Sequence, residues 1–202
     1  MSEPSPWDEY AAGWDEDVGT RRYAAAAFAS LVAVLEDQGA TLDGARVCDF
    51  GCGTGLLTEL MVDTVRGVDA VDTSGAMLAC ISTKIHEHGW ANVRPSTTLP
   101  ESTETHDLVV CSSVLGFVDD YPGAVERLGS LLAPDGLFVQ WDWERGSADA
   151  DCHGLSRDEI HDALLTGGLA VVAIEHAFEI PMGGVAMRPL MGVGRKASTR
   201  GE

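Results

Sequence analysis

The stretch Val47–Gly55, VCDFGCGTG, carries the reading of the fold. A short apolar run ends on the carboxylate of Asp49, and Gly51, Gly53 and Gly55 follow on alternate positions. Such a run reads as a buried strand, and glycines directly behind it let the backbone turn with positive φ and let a ligand come close. In an α/β fold the loop from the first strand to its helix lies at the carboxyl edge of the sheet, where ligands bind. The same loop can be a tight turn and nothing more, so its spacing matters. A dinucleotide fingerprint needs GxGxxG, whereas the glycines here stand as GxGxG. A P-loop needs GxxxxGK followed by Ser or Thr, and no Lys or Arg follows this loop. A loop with Asp49 and no cation suits a ligand that carries positive charge and hydroxyls.

Outward from this loop, strand and helix alternate. Upstream, TRRYAAAAFASLVAVLEDQGA is a helix, with Tyr23, Phe28, Leu31, Val32 and Leu35 at helical spacing and Gly39 as its stop. Residues 1 to about 20 are acidic and aromatic and read as a loop or short helical turns. Downstream come the helix TGLLTELMV, the strand TVRGVDAVD, a helix capped by Ser74, a weak strand near ANVRP and the buried strand HDLVVCSS. The helix YPGAVERLGSLLA, the turn PDG, the strand LFVQWDW and a helix opening with Ser156 and Glu159 in capping-box spacing follow. LAVVAIEHAFEI and RPLMGVGRK finish the chain as two strands joined by PMGGVAM, a hairpin-type connection, so the last strand enters antiparallel. The alternation predicts a three-layer α/β fold around a mainly parallel sheet.

Composition sets outer bounds. The 202 residues suit one domain. No apolar run reaches the ~18 residues of a membrane helix, and the acidic N-terminus lacks a signal-peptide layout. Five cysteines, Cys48, Cys52, Cys80, Cys111 and Cys152, form no CxxC pair and read as reduced thiols, which points to a cytoplasmic chain with no bound metal. The net charge is -19, and Lys84 and Lys196 are the only lysines. So acidic a surface opposes nucleic acid and anionic lipid as partners.

The second strand supplies a matching clue. Asp72 stands at its end, where a carboxylate accepts two hydrogen bonds from a ribose diol. Asp69, earlier on the same strand, competes for that role. Together VCDFGCGTG, VDTSGAML, HDLVVCSSVLGFVDD and LGSLLAPDGLFV, in this order, resemble the motifs of class I S-adenosylmethionine-dependent methyltransferases of the small-molecule type, and WDEYAAGWDE resembles their lid segment. The resemblance covers nearly the whole chain. It implies a Rossmann-like seven-stranded sheet with the last strand antiparallel between its neighbours. It also implies a single domain: residues 1–43 as lid and helix, 44–145 as cofactor-binding core and 146–202 as C-terminal helix and strand pair.

The same resemblance implies cofactor contacts. The backbone of Gly51, Cys52 and Gly53 would lie against the methionine part, with Gly55 closing the loop. Asp49 would face the amino group, and Asp72 would hold the ribose with Thr73 beside it. Ser112 would offer a backbone group, Tyr10 and Trp14 would cover the cofactor, and Met77 reads as core that could touch adenine. Many relatives carry an acid after the third strand for the adenine amine. This chain has RPSTTLPES there, which leaves Ser96, Thr97, Thr98 or the backbone around Leu99 for that contact.

Methyl transfer asks the protein mainly to align a nucleophile and exclude water, so a conspicuous catalytic residue is not required and none stands out. Tyr10, Trp14, Trp141, Asp142, Trp143, His153, Met182 and Met187 are candidates for the acceptor pocket, with Arg145, Arg157 and Arg188 as nearby cations. Trp141 and Trp143 serve equally well as core. His153 is a candidate general base, and His86 and His88 are surface residues whose spacing cannot serve one ligand. The expectation is methyl transfer to a small, neutral or cationic acceptor. The competing readings are a non-catalytic S-adenosylmethionine-binding protein and a nicotinamide-dependent oxidoreductase.

Overall fold

The computed structural model describes residues 5–101, 105–145, 153–182 and 185–198. Seven strands form one sheet in the order β3-β2-β1-β4-β5-β9-β6, and β7 and β8 form a separate pair. The chain divides into two compact units, residues 1–100 and 101–202, a boundary that falls inside the segment read as one core.

The first unit opens with a 3-10 turn, Asp8–Gly13, and α1, Val18–Asp37. Asp17 caps α1 by accepting from Thr20 N at 3.0 Å, and Tyr23, Ala24, Ala27, Leu31 and Leu35 form its buried stripe. Contrary to expectation, α1 is long and apolar enough by composition to cross a membrane, with mean hydropathy 1.2. Three parallel strands follow, β1 (Arg46–Phe50), β2 (Gly67–Val71) and β3 (Val93–Ser96), with Cys48 opposite Asp69 and Asp69 opposite Arg94. Helices α2 (Leu56–Met61) and α3 (Gly75–His88) connect them. Ser74 caps α3, accepting from Met77 N at 3.1 Å.

The second unit holds β4 (His106–Ser112), a 3-10 turn at Leu115–Phe117, α4 (Tyr121–Ser130) and β5 (Leu132–Trp143). Then come α5 (Arg157–Thr166), β6 (Leu169–His176), the hairpin strands β7 (Ile180–Met182) and β8 (Val185–Met187), and β9 (Pro189–Lys196). Both capping-box bonds of Ser156 and Glu159 are present at the start of α5. As expected, β9 runs antiparallel between β5 and β6. The expected turn at PDG lies within β5: the register on β4 shifts between His106–Leu132 and Leu108–Leu137, and Asp135 takes a positive φ of 65° in the looped-out residues. Buried on both faces, β4 and β5 read as near-continuous apolar runs.

Candidate active site

The three glycines after β1 share positive φ, 71° at Gly51, 53° at Gly53 and 87° at Gly55, but they serve different ends. Gly51 N and Cys52 N both donate to Val71 O, at 2.7 and 3.0 Å, which ties the loop to the end of β2. A Cβ on Gly55 would stand 2.6 Å from Ile81 Cδ1, so this glycine is required by packing against α3. A Cβ on Gly53 would meet nothing nearer than Met77 Sδ and Trp14 Nε1, both at 3.9 Å. A Cβ would thus fit over Gly53 without a clash, in contact with Met77 and Trp14, and what favours glycine there is its positive φ.

Two carboxylates flank this glycine. Asp49 is 1% exposed, and Thr58 Oγ1 donates to its Oδ2 at 2.7 Å. Burial pushes the Asp49 carboxyl up to about 6, with the charge of Asp72 adding to the rise and the Thr58 bond opposing it. Asp72 spans the loop and the next helix: Oδ2 accepts from Gly53 N at 2.9 Å and Oδ1 from Ser74 N at 2.8 Å. Each oxygen keeps acceptor capacity for a further donor. Asp69 stands three positions earlier, on the other face of the strand, and is taken up by Arg46 at 3.0 Å and Arg94 at 2.9 Å. Asp69 is thus engaged by two guanidinium groups, whereas Asp72 is held by two backbone N–H groups.

The N-terminal arm is fastened to the same loop. Ser74 Oγ donates to Asp8 Oδ1 at 2.5 Å, and that bond holds the Asp8 carboxyl below its usual range. Thr54 Oγ1 donates to Asp15 Oδ1 at 2.5 Å, and Lys84 pairs with Asp15 at 2.7 Å and with Glu59 at 3.1 Å. These contacts bring Trp14 to Gly53, in edge contact with Trp7 at 6.4 Å. Tyr10 packs on Trp7 but is 57% exposed. Met77 is core, Thr73 is exposed and Leu99 is half-buried. Ser96 Oγ donates to Thr98 O at 2.9 Å and accepts from Thr98 N at 3.1 Å, so its hydroxyl is engaged locally.

In the second unit Ser112 ends β4, half-buried and opposite Trp141. Trp141 is fully buried core, and Asp142 is buried too. Asp142 accepts from Gly116 N at 3.0 Å and from Gln140 Nε2 at 3.1 Å, while Gln140 Oε1 accepts from Tyr121 OH at 2.9 Å. Burial pushes the Asp142 carboxyl up to about 7. Trp143 lines a cleft of about 380 Å³ with Glu144, His176, Ala186, Met187 and Arg188. His176 Nε2 lies 2.7 Å from Glu144 Oε2, a pair the sequence gives no reason to join, because 32 residues separate the partners. His153 is exposed, its ring 4.7 Å from that of Phe117. The three candidate cations are all engaged, Arg145 and Arg188 with Glu159 and Glu179, and Arg157 with Ile174 O and Glu144. His86 and His88 are exposed, as expected. The side chain of Met182, and Cys152, lie outside the described residues.

Residues 20–174 match the family model described as a methyltransferase domain. The chain is 35% identical over 101 residues to a ubiquinone biosynthesis O-methyltransferase of Caulobacter sp. (strain K31), covering 48% of this chain and 40% of that one. It is 32% identical over 99 residues to a trans-aconitate 2-methyltransferase of Variovorax paradoxus, covering 48% and 38%. The chain thus spans less than half the length of these curated relatives. Among solved structures, a magnesium protoporphyrin IX methyltransferase of Synechocystis with bound S-adenosylmethionine superposes with a TM-score of 0.64 at 18% identity, covering 98% of this chain and 87% of that one. With the matched domain, the sheet order and the glycine loop in agreement, the chain belongs to the class I methyltransferases, the family whose cofactor is S-adenosylmethionine.

Proposed function

We propose that this protein transfers a methyl group from S-adenosylmethionine to a small-molecule acceptor. The observation that carries the reading is the pair of carboxylates around Gly53: Asp49, buried with one hydroxyl donor, and Asp72, bridging Gly53 N and Ser74 N. The cofactor's chemistry is a sulfonium whose methyl group leaves by in-line displacement. The residues present fit it. Asp49 offers a buried negative charge to the amino group, the side-chain-free backbone of Gly53 lies between the two carboxylates, and Asp72 has acceptor capacity left for the ribose hydroxyls. Trp14 lies beside Gly53, next to Asp15, which Thr54 of the same loop holds.

The net charge of -19 supports a small acceptor over nucleic acid or an anionic membrane surface. The cleft beside Trp143 supports the same reading, being of a size for a small molecule and walled by Trp143 and Met187. Two named relatives act on small molecules, which agrees. The test is to incubate the protein with methyl-labelled S-adenosylmethionine and, separately, a small-metabolite extract, tRNA, DNA and a protein extract. Label should enter the small-metabolite fraction. Label in nucleic acid or protein would overturn the acceptor class, and label in no fraction would leave a cofactor-binding protein without transfer.

A further inference from the structure

The second unit buries two polar side chains side by side on β5. Gln140 is fully buried and Asp142 is 2% exposed. They stand two positions apart, on one face of the strand. Removing an amide and a carboxylate from water disfavours folding unless both find partners. Here every bond runs in one direction. Tyr121 O–H donates to Gln140 Oε1 at 2.9 Å, and Gln140 Nε2 donates to Asp142 Oδ2 at 3.1 Å. Gly116 N donates to Asp142 Oδ1 at 3.0 Å. Asp142 only accepts in this arrangement, as a charged carboxylate does. The chain of bonds ties the first residue of α4 to β5, and β5 to the turn after β4.

A protonated Asp142 does not fit that arrangement. Gly116 N–H belongs to the backbone, so a proton on Oδ1 would face a fixed donor. A proton on Oδ2 would face Gln140 Nε2, also a donor, but this amide exchanges its two ends by a half-turn. After the half-turn, Asp142 O–H donates to Gln140 Oε1, and Gln140 Nε2 donates to the Tyr121 oxygen. The phenol then accepts, and its own O–H loses Gln140 as acceptor. Burial pushes the Asp142 carboxyl up to about 7, against the bonds from Gly116, Leu115 and Gln140 that favour its charge, so both forms occur around neutral pH. Burial also raises the Tyr121 phenol, which keeps its proton throughout this range.

The titratable groups around this chain come from several elements. Cys111 of β4 lies opposite Gln140, and Glu159 of α5 is held by Arg145 at 2.9 Å. β9 sets the apolar Leu190 opposite Asp142. Two residues along β5, Glu144 is engaged by His176 and Arg157. His153 lies against Gly116 through its backbone oxygen.

We propose that Tyr121, Gln140 and Asp142 form a proton-driven switch inside the second unit. With Asp142 charged, the chain donates from Tyr121 towards Asp142. When Asp142 takes one proton from solvent, the chain donates from Asp142 towards Tyr121, and the Tyr121 O–H at the start of α4 is released. One O–H bond forms on the carboxylate, and every other change is a hydrogen bond that reverses. The switch is separate from the methyl-transfer reading and does not rest on it.

The test is a titration of the isotope-labelled chain by nuclear magnetic resonance from about pH 5 to 9. It follows Asp142 Cγ, the Gln140 side-chain NH2 and Tyr121 Cζ in wild type, Tyr121→Phe and Asp142→Asn. In the wild type the three signals should step together, with one midpoint near 7. Tyr121→Phe removes the donor that favours the charged form, so the Asp142 midpoint should rise by about 0.5–1 unit. Asp142→Asn should abolish the step at Gln140 and Tyr121, which separates it from the titration of His153 or His176. An Asp142 that titrates while the Gln140 amide stays still is a lone buried carboxylate, and that result overturns the switch. So does a step at Gln140 that survives in Asp142→Asn, or an Asp142 midpoint that Tyr121→Phe leaves in place. If a variant fails to fold, the common midpoint of the three wild-type signals decides by itself.

Discussion

The loop after β1 and the turn after β4 solve one backbone problem with different residues. Both bend sharply past the carboxyl end of a strand and both need positive φ. After β1 the chain uses glycine three times, and the loop's N–H groups at positions 51, 52, 53 and 55 all find acceptors, two on Val71 O, one on Asp72 and one on Cys52 O. After β4 the chain uses serine, and its hydroxyl has no partner among the described residues. The first is a relaxed surface built from backbone; the second is a tense one built around a side chain.

The sharpest way to break the comparison is Gly55→Ala. The added Cβ meets Ile81 in a left-handed conformation, so stability should fall by about 2–4 kcal/mol, as chemical denaturation would show. Gly53→Ala has a likewise disfavoured φ but no clash, so its loss should be nearer 1–2 kcal/mol while S-adenosylhomocysteine binding suffers. Equal losses of stability at the two positions would show that packing does not distinguish these glycines.

Next in size is Asp72→Ala. Charge-assisted bonds to ribose hydroxyls are worth roughly 1.5–3 kcal/mol each, so S-adenosylhomocysteine affinity should drop by at least about tenfold in calorimetry. Asp69→Ala should instead lower stability and leave affinity alone, because it removes the carboxylate that pairs with both Arg46 and Arg94. The reverse pattern would move the ribose contact to Asp69.

Acidity offers a third probe. The Asp49 carboxyl sits at about 6 in the folded chain against an ordinary 3.8, so the folded protein holds a proton that the unfolded chain has released. For a group raised on folding, the stability it contributes is full below 3.8 and is lost as pH rises through about 6. A cationic amino group favours the charged carboxylate, so S-adenosylhomocysteine affinity should run the opposite way, weakening below pH 6 by up to about tenfold per unit. Affinity measured from pH 5 to 8 should show this fall, and Asp49→Asn should flatten it. A flat wild-type profile would remove Asp49 from cofactor binding.

The smallest effect sharpens the contrast from the other side. Ser113→Gly relieves the left-handed backbone but loosens the unfolded chain, leaving a net gain of roughly 0.5–1 kcal/mol. A loss of stability in this variant would show that the serine backbone is not tense.

Much of this architecture was legible before any coordinates. The glycine spacing, the carboxylates at positions 49 and 72 and the alternation of helix and strand rest on local chemistry: positive φ, strand-end charge and hydrophobic period are written over a few neighbouring residues. The hairpin connection before the last strand was enough to place β9 antiparallel. The identity of Arg94 or Lys84 said nothing, by contrast, about which side chains they would meet.

Tertiary structure alone decided the rest, because it joins residues far apart in sequence. It set two of the glycines apart by bringing Ile81 against Gly55 while a Cβ at Gly53 would meet no clash. It engaged Asp69 by setting Arg46 and Arg94 against it. It paired His176 with Glu144 and fastened the N-terminal arm through Asp8 and Asp15. Sequence can say that Ser113 follows a buried strand. Only the folded chain shows that its backbone is left-handed and its hydroxyl without a partner among the described residues, since both follow from the clamp that Trp141 and Asp142 of β5 place on the turn.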